Sequence, residues 1–151
     1  MNFLAHLLMG SQTPQQALGS LLGDFIKGPV QKIALPDDVR GGIWLHRRID
    51  VFTDSHPLVL QSKARISPAR RRYAGIMEHD WLTSYAQLPH LHRALDNMSR
   101  RLRPDNSLPG AVAELEADYA AFEDDFFRFM PEVQDFATDQ AALLSSIGLD
   151  L

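Results

Sequence analysis

The sequence predicts an all-α protein, a single-domain helical bundle over residues 1–151. Three observations lead there. Apolar residues recur at spacings of three and four in segment after segment. No run shows the strict alternation of a half-buried strand. Proline and glycine fall mostly between the periodic segments, where they punctuate helices.

The elements follow in order. Phe3, Leu4, Leu7 and Leu8 define a first helix, with Asn2 placed to cap it. Gly10 to Pro14 breaks it, and Pro14 suits the first turn of a second helix. That helix has Ala17, Leu18, Leu21, Leu22, Phe25 and Ile26 as its apolar side, and Gly28-Pro29 stops it. Pro36-Asp37-Asp38 is a helix start, with acids where the helix dipole favours them. Val39, Ile43, Leu45, Ile49 and Phe52 carry this third helix to about Asp54, and Gly41-Gly42 predicts close packing or a bend within it. Pro57 to Ile66 reads as a shorter helix, and Ser67-Pro68 opens another that holds an arginine run. Trp81 to Arg103 is helical in pattern, interrupted near Pro89. Leu108 to Met130 reads as one long amphipathic helix that Pro131 kinks or ends, with helix continuing from Glu132. Phe122, Phe126, Phe127 and Phe129 are expected in the core.

Composition narrows the function classes. A chain of 151 residues can bury one sizeable core. A net charge of −4 argues against a general nucleic-acid binder, which needs excess lysine and arginine. The charge is uneven. Arg65, Arg70, Arg71 and Arg72 form one basic run, and Arg100, Arg101 and Arg103 another. Glu114, Glu116, Asp118, Glu123, Asp124 and Asp125 gather the acids late in the chain. Such runs are ordinary solvated faces, or a local patch for an acidic partner. Without cysteine there is no disulfide, no thiolate metal site and no cysteine nucleophile, which suits a reducing compartment. No signal peptide and no membrane span are expected, and the expected location is the cytoplasm.

The stretch GGIWLHRRIDVFTDSHP, residues 41–57, is the richest in chemistry. His46 and Asp50 are one helical turn apart on one face, and Asp54 continues the row. An imidazole and a carboxylate projecting together suit Mn, Fe, Mg or Zn, or form an ordinary surface hydrogen bond. His6 and Asp24 add polar groups within apolar surroundings. Each alone reads as a core histidine or a paired acid, because burying such a group is costly unless it has a partner. His79-Asp80 reads as a polar helix entry and His90 to His92 as a solvated turn. There is no phosphate loop and no nucleophile elbow.

The opening MNFLAH, the segment LLGDFIKG and the stretch GIWLHRRIDVFTDSHP, in that order, resemble the acyl carrier protein phosphodiesterases. RRYAGI, DWLTSYAQL and LEADYAAFEDDFFRFMP extend the resemblance over most of the chain. It implies a helical fold distantly related to the HD phosphohydrolases. It implies hydrolysis of the phosphodiester that joins 4'-phosphopantetheine to a serine of holo-acyl carrier protein, helped by a divalent metal, commonly Mn, with Mg or Fe in range. By the same resemblance His6, Asp24, His46 and Asp50 form or border the metal site, and Lys27 and Arg47 lie near the phosphate. Asn2, Asp54, Arg70, Arg71 and Arg72 are the substrate-binding candidates, the arginines as steering charges for an acidic carrier. The expected partner is the carrier protein, with no nucleic acid and no membrane; monomer and homo-oligomer both stay open. Small phosphate-ester hydrolysis, carrier binding without turnover and a purely structural bundle are the alternatives.

The resemblance departs at one place. In the family a further helical stretch, with an Asp followed by an Asp-His pair, comes after the segment matched by RRYAGI. Here Ile76 runs straight into Met77-Glu78-His79-Asp80-Trp81, so an internal segment is missing. It would be expected to supply metal ligands or substrate contacts.

Overall fold

A computed structural model of the chain describes residues 3–9, 11–73, 93, 97, 99–101 and 106–148. Among them every regular element is helical. The α-helices are α1 (Phe3–Leu8), α2 (Pro14–Leu22), α3 (Asp37–Ser55), α4 (Pro57–Arg65), α5 (Ala111–Ala117) and α6 (Tyr119–Ile147). Short 3₁₀ turns form at Val30–Lys32 and Arg71–Tyr73. No helix among the described residues is long and apolar enough to cross a membrane. The chain divides into two compact units, residues 1–56 with 128–151, and residues 57–127.

In the first unit, α2 starts where its sequence says it should. Pro14 occupies the first turn, and the Thr13 hydroxyl accepts from Gln16 N at 3.1 Å. Gln16 turns back and accepts from Gln12 N at 2.8 Å, which ties the preceding loop to the helix start. Its buried face is not the expected row of leucines. Leu18, Leu21 and Phe25 are exposed, and Gly19, Ser20 and Gly23 face inward. The reason is the crossing with α3. A Cβ on Gly19 would lie 2.0 Å from Val39 O, and one on Gly42 would lie 2.0 Å from Gln16 O. The two backbones touch where only glycine fits, and Ser20 Oγ reaches Gly42 O at 3.5 Å. Close packing at Gly41-Gly42 is therefore as expected, and α3 runs on through it without a break.

Asp37 and Asp38 open α3, and Arg40 pairs with Asp37 at 2.6 Å. The helix stops at His56, whose extended backbone is what the following Pro57 demands. Val39, Ile43, Leu45 and Ile49 of α3 are buried in this unit, as are Phe129, Val133, Ala137, Ala141 and Leu144 of α6. Phe52 stacks on Phe136 with ring centres 4.3 Å apart.

The second unit has its own core of Ile66, Leu108, Ala111, Val112, Leu115 and Phe122, with Tyr73, Tyr119 and Phe126 packed against it. Its acid centre is Asp125, only 2% exposed, which accepts from Gln61 at 2.9 Å, Ser62 at 2.9 Å and Arg65 at 3.1 Å.

Three further expectations change. The helix expected from Leu108 to Met130 is two helices, because Asp118 leaves the helical conformation at φ −115°, ψ 17°. Past Pro131 the helix α6 continues to Ile147, as the expected helix from Glu132 onward requires. Phe127 is 65% exposed, because it lies on the side of α6 away from Phe122, Asp125 and Phe129. Ser67 to Arg72 form turns and a 3₁₀ segment in place of a helix. The junction at Ile76, His79, Asp80, His90, His92 and almost all of the Trp81 to Arg103 segment lie outside the described residues.

Candidate metal centre

The residues that sequence spacing singled out converge in the first unit. His6 comes from α1, and His46 and Asp50 from adjacent turns of α3. His6 Nε2 lies 3.1 Å from Asp50 Oδ1, and His46 Nε2 lies 3.1 Å from Asp50 Oδ2. One carboxylate thus bridges two imidazoles, which stack with ring centres 3.8 Å apart. Asp24, just past the end of α2, comes within 3.4 Å of His46 Nε2. Both histidines are 1% exposed, Asp50 29% and Asp24 51%, so the cluster is closed behind and open toward the acids.

The electrostatics follow from that layout. Burial pulls the His6 imidazole below its ordinary value, the Asp50 hydrogen bond opposes this, and neighbouring His46 lowers it further. Burial acts on His46 the same way, but Asp50 and then Asp24 outweigh it and the net shift is upward. Burial disfavours the Asp50 carboxylate, yet hydrogen bonds from His46 and His6 hold it well below the usual carboxylate range.

The donor set fits a divalent cation. Atoms of His6, His46 and Asp50 that can ligate lie within 4.8 Å of one another. Two nitrogens and a carboxylate oxygen, with no thiolate, are the ligands of Mn, Fe or Zn sites. His6 Nδ1 and His46 Nδ1 are also buried without a partner among the described residues. Orphaned buried polar atoms are rare in folded proteins and concentrate where a ligand or a reaction accounts for them.

The remaining candidates take other places. Arg47 donates to Gly28 O at 2.6 Å and to Ile26 O at 2.7 Å, so its guanidinium clamps the turn that follows Asp24. Lys27, within that turn, is exposed. Asp54 is exposed, one turn beyond Asp50, and is not part of the cluster. Asn2 lies outside the described residues. In the second unit, Arg70 pairs with Glu114 at 2.8 Å and donates to Pro109 O, while Arg71 donates to Ala64 O and Ile66 O. Arg72 lies over the Tyr73 ring at 4.8 Å. Two arginines of the run are therefore occupied in tying loops.

Sequence reasoning assigned nothing to His56, although it lies in the richest motif. It is buried against Phe52 and Phe129 and bonded to Glu132 at 3.0 Å. It also assigned nothing to Gly23, which the segment LLGDFIKG places directly before Asp24.

A family model described as acyl carrier protein phosphodiesterase matches residues 1–78 and 76–133. Proteins named acyl carrier protein phosphodiesterase are similar along most of the chain. The one from Photorhabdus laumondii is 28% identical over 192 residues, covering 93% of this chain and 96% of that protein. The one from Yersinia enterocolitica is 29% identical over 192 residues, covering 93% and 99%. The one from Escherichia coli O157:H7 is 26% identical over 193 residues, covering 93% and 100%. No solved structure matches. These alignments are longer than the chain of 151 residues, so the relatives carry positions without a counterpart here. The family model breaks at residues 76–78, the place where the sequence departs from the family pattern.

Proposed function

The chain belongs to the acyl carrier protein phosphodiesterase family, and from that premise we propose that it is a metal-dependent hydrolase of holo-acyl carrier protein. The products are apo-carrier protein and 4'-phosphopantetheine, and the compartment is the cytoplasm. The observation that carries the reading is the His6–His46–Asp50 cluster, which lies within the stretch 1–78 that the family model matches. The relatives' shared name supports the substrate.

A divalent ion held at this site, Mn with Mg or Fe in range, would supply an acidified water and polarise the phosphoryl oxygens. His6, His46 and Asp50 would hold it. Asp24 Oδ1, half exposed beside His46, accepts the proton of the attacking water. Water adds to phosphorus, the bond to the serine oxygen breaks, and that oxygen leaves with the proton that Asp24 received. Lys27 offers positive charge to the phosphate from the turn that Arg47 clamps. Arg72, exposed and stacked on Tyr73, is the member of the arginine run offered for steering the carrier.

A second reading, carrier binding without turnover, draws on the shortened chain. One experiment separates the two. Purified holo-acyl carrier protein is incubated with the chain, with and without Mn(II), and its intact mass is measured. Metal-dependent loss of the phosphopantetheine mass is expected. No loss, with the chain folded and a full-length relative active in parallel, supports the binder. Turnover of a small phosphodiester but not of the carrier contradicts both.

A further inference from the structure

We propose that Gly23 is a positioning residue for His46: the side chain it lacks is the space the imidazole occupies. Its link to catalysis rests on the metal-site reading above, but its steric core does not.

Gly23 follows α2 with φ −53°, ψ −39°, a right-handed helical conformation. Any residue adopts that conformation, and alanine prefers it to glycine. Backbone freedom therefore does not explain the glycine. Space does. A Cβ at position 23 would lie 2.3 Å from Cγ, 2.4 Å from Cδ2 and 2.8 Å from Nδ1 of His46. No non-bonded carbon approaches a ring that closely, so one of the two must move. The ring is 1% exposed, stacked on His6, and bonded to Asp50 and Asp24. It cannot give way without leaving those partners. One turn earlier on α2, Gly19 meets only the backbone and Cα of α3. The first glycine lets the helices touch, and the second sets where the imidazole stands. Gly28, a few residues on, meets nothing within 4 Å, so this packing is particular to Gly23 among the glycines of the turn.

The test uses the full chain, Gly23→Ala, His46→Ala and the double variant, melted in metal-free buffer. With His46 present, Gly23→Ala is expected to lower the melting temperature by about 5 °C or more. In the His46→Ala background the same change should be neutral or raise it, because the clash is gone and alanine is the better helix residue. An equal loss in both backgrounds overturns the proposal. Should His46→Ala not fold, the histidine side-chain ¹H–¹⁵N spectrum of Gly23→Ala decides. Shifted His46 signals support positioning, and unshifted ones overturn it. Function is read separately. Gly23→Ala should raise the half-saturating Mn(II) concentration by about tenfold and shrink the rise in melting temperature on adding Mn(II). An Mn(II) response equal to that of the unsubstituted chain overturns the positioning role. No Mn(II) response in the unsubstituted chain contradicts the metal reading alone, and the metal-free melts still decide the steric claim.

Discussion

Two carboxylates organise this molecule, one in each compact unit, and they are built differently. Asp125 is 2% exposed and takes its hydrogen bonds from an amide, a hydroxyl and a guanidinium. Its partners keep fixed protonation through the whole working pH range, so it is a joint. Asp50 is 29% exposed and bridges two stacked imidazoles. Those partners titrate, are driven in opposite directions, and leave their other nitrogens unpartnered among the described residues. Buried acid alone does not mark a reactive centre. What marks it is a set of donors that can exchange a proton for a cation.

That contrast can be broken by substitution. Asp50→Asn keeps the shape and removes the charge. It should cut metal-dependent turnover by about 100-fold or more and, because two buried imidazoles hold the Asp50 charge, lower the melting temperature as well. Loss of stability without loss of turnover would make Asp50 another joint. Asp125→Ala should lower stability alone. It strands Arg65 and two polar groups, and should cost about 3 kcal/mol in denaturant unfolding while the folded fraction keeps its turnover.

Glu114 sharpens the comparison on the structural side. Burial disfavours its charge, but the backbone N–H and hydroxyl of Ser67, and then Arg70, outweigh that and lower its pKa. A lowered folded value means the stabilisation is complete above the unfolded pKa. It is lost as pH falls through the folded one. Glu114→Gln should therefore cost roughly 1–2 kcal/mol at neutral pH, with the gap to the unsubstituted chain closing in acid. A constant gap in pH-dependent melts contradicts the assignment. The smallest effect is expected at Arg47. Arg47→Lys loses the two-pronged hold on Ile26 O and Gly28 O, and should reduce turnover by roughly tenfold or less, mostly through KM. An unchanged KM would detach the turn from substrate.

The sequence made the helices legible because burial on one side leaves a period, and it made the site legible because His46 and Asp50 share a helix face. It misread α2, where Leu18 and Leu21 look like a core stripe but are exposed. Hydropathy rewards large apolar residues, whereas this helix packs through Gly19 and Gly23, whose signal is the absence of a side chain. Pro131 by itself reads as a kink or an end. The buried row Phe129, Val133, Ala137, Ala141 and Leu144 continues past it at helical spacing, and that packing outweighs one lost backbone hydrogen bond. The arginine run reads as a solvated face or a patch for an acidic partner, but Arg70 finds Glu114 and Pro109 O, distant in sequence, and Arg71 finds the nearby carbonyls of Ala64 and Ile66. Convergence of His6 with Asp50 is likewise a long-range fact that spacing does not encode.

The claim at the centre is that His6, His46 and Asp50 hold a divalent metal. Mn(II) titrated calorimetrically into metal-free chain, with Asp50→Asn in parallel, tests it most directly. One binding site in the unsubstituted chain, lost in the variant, is the predicted result. Equal binding to both, or none to either, would contradict it.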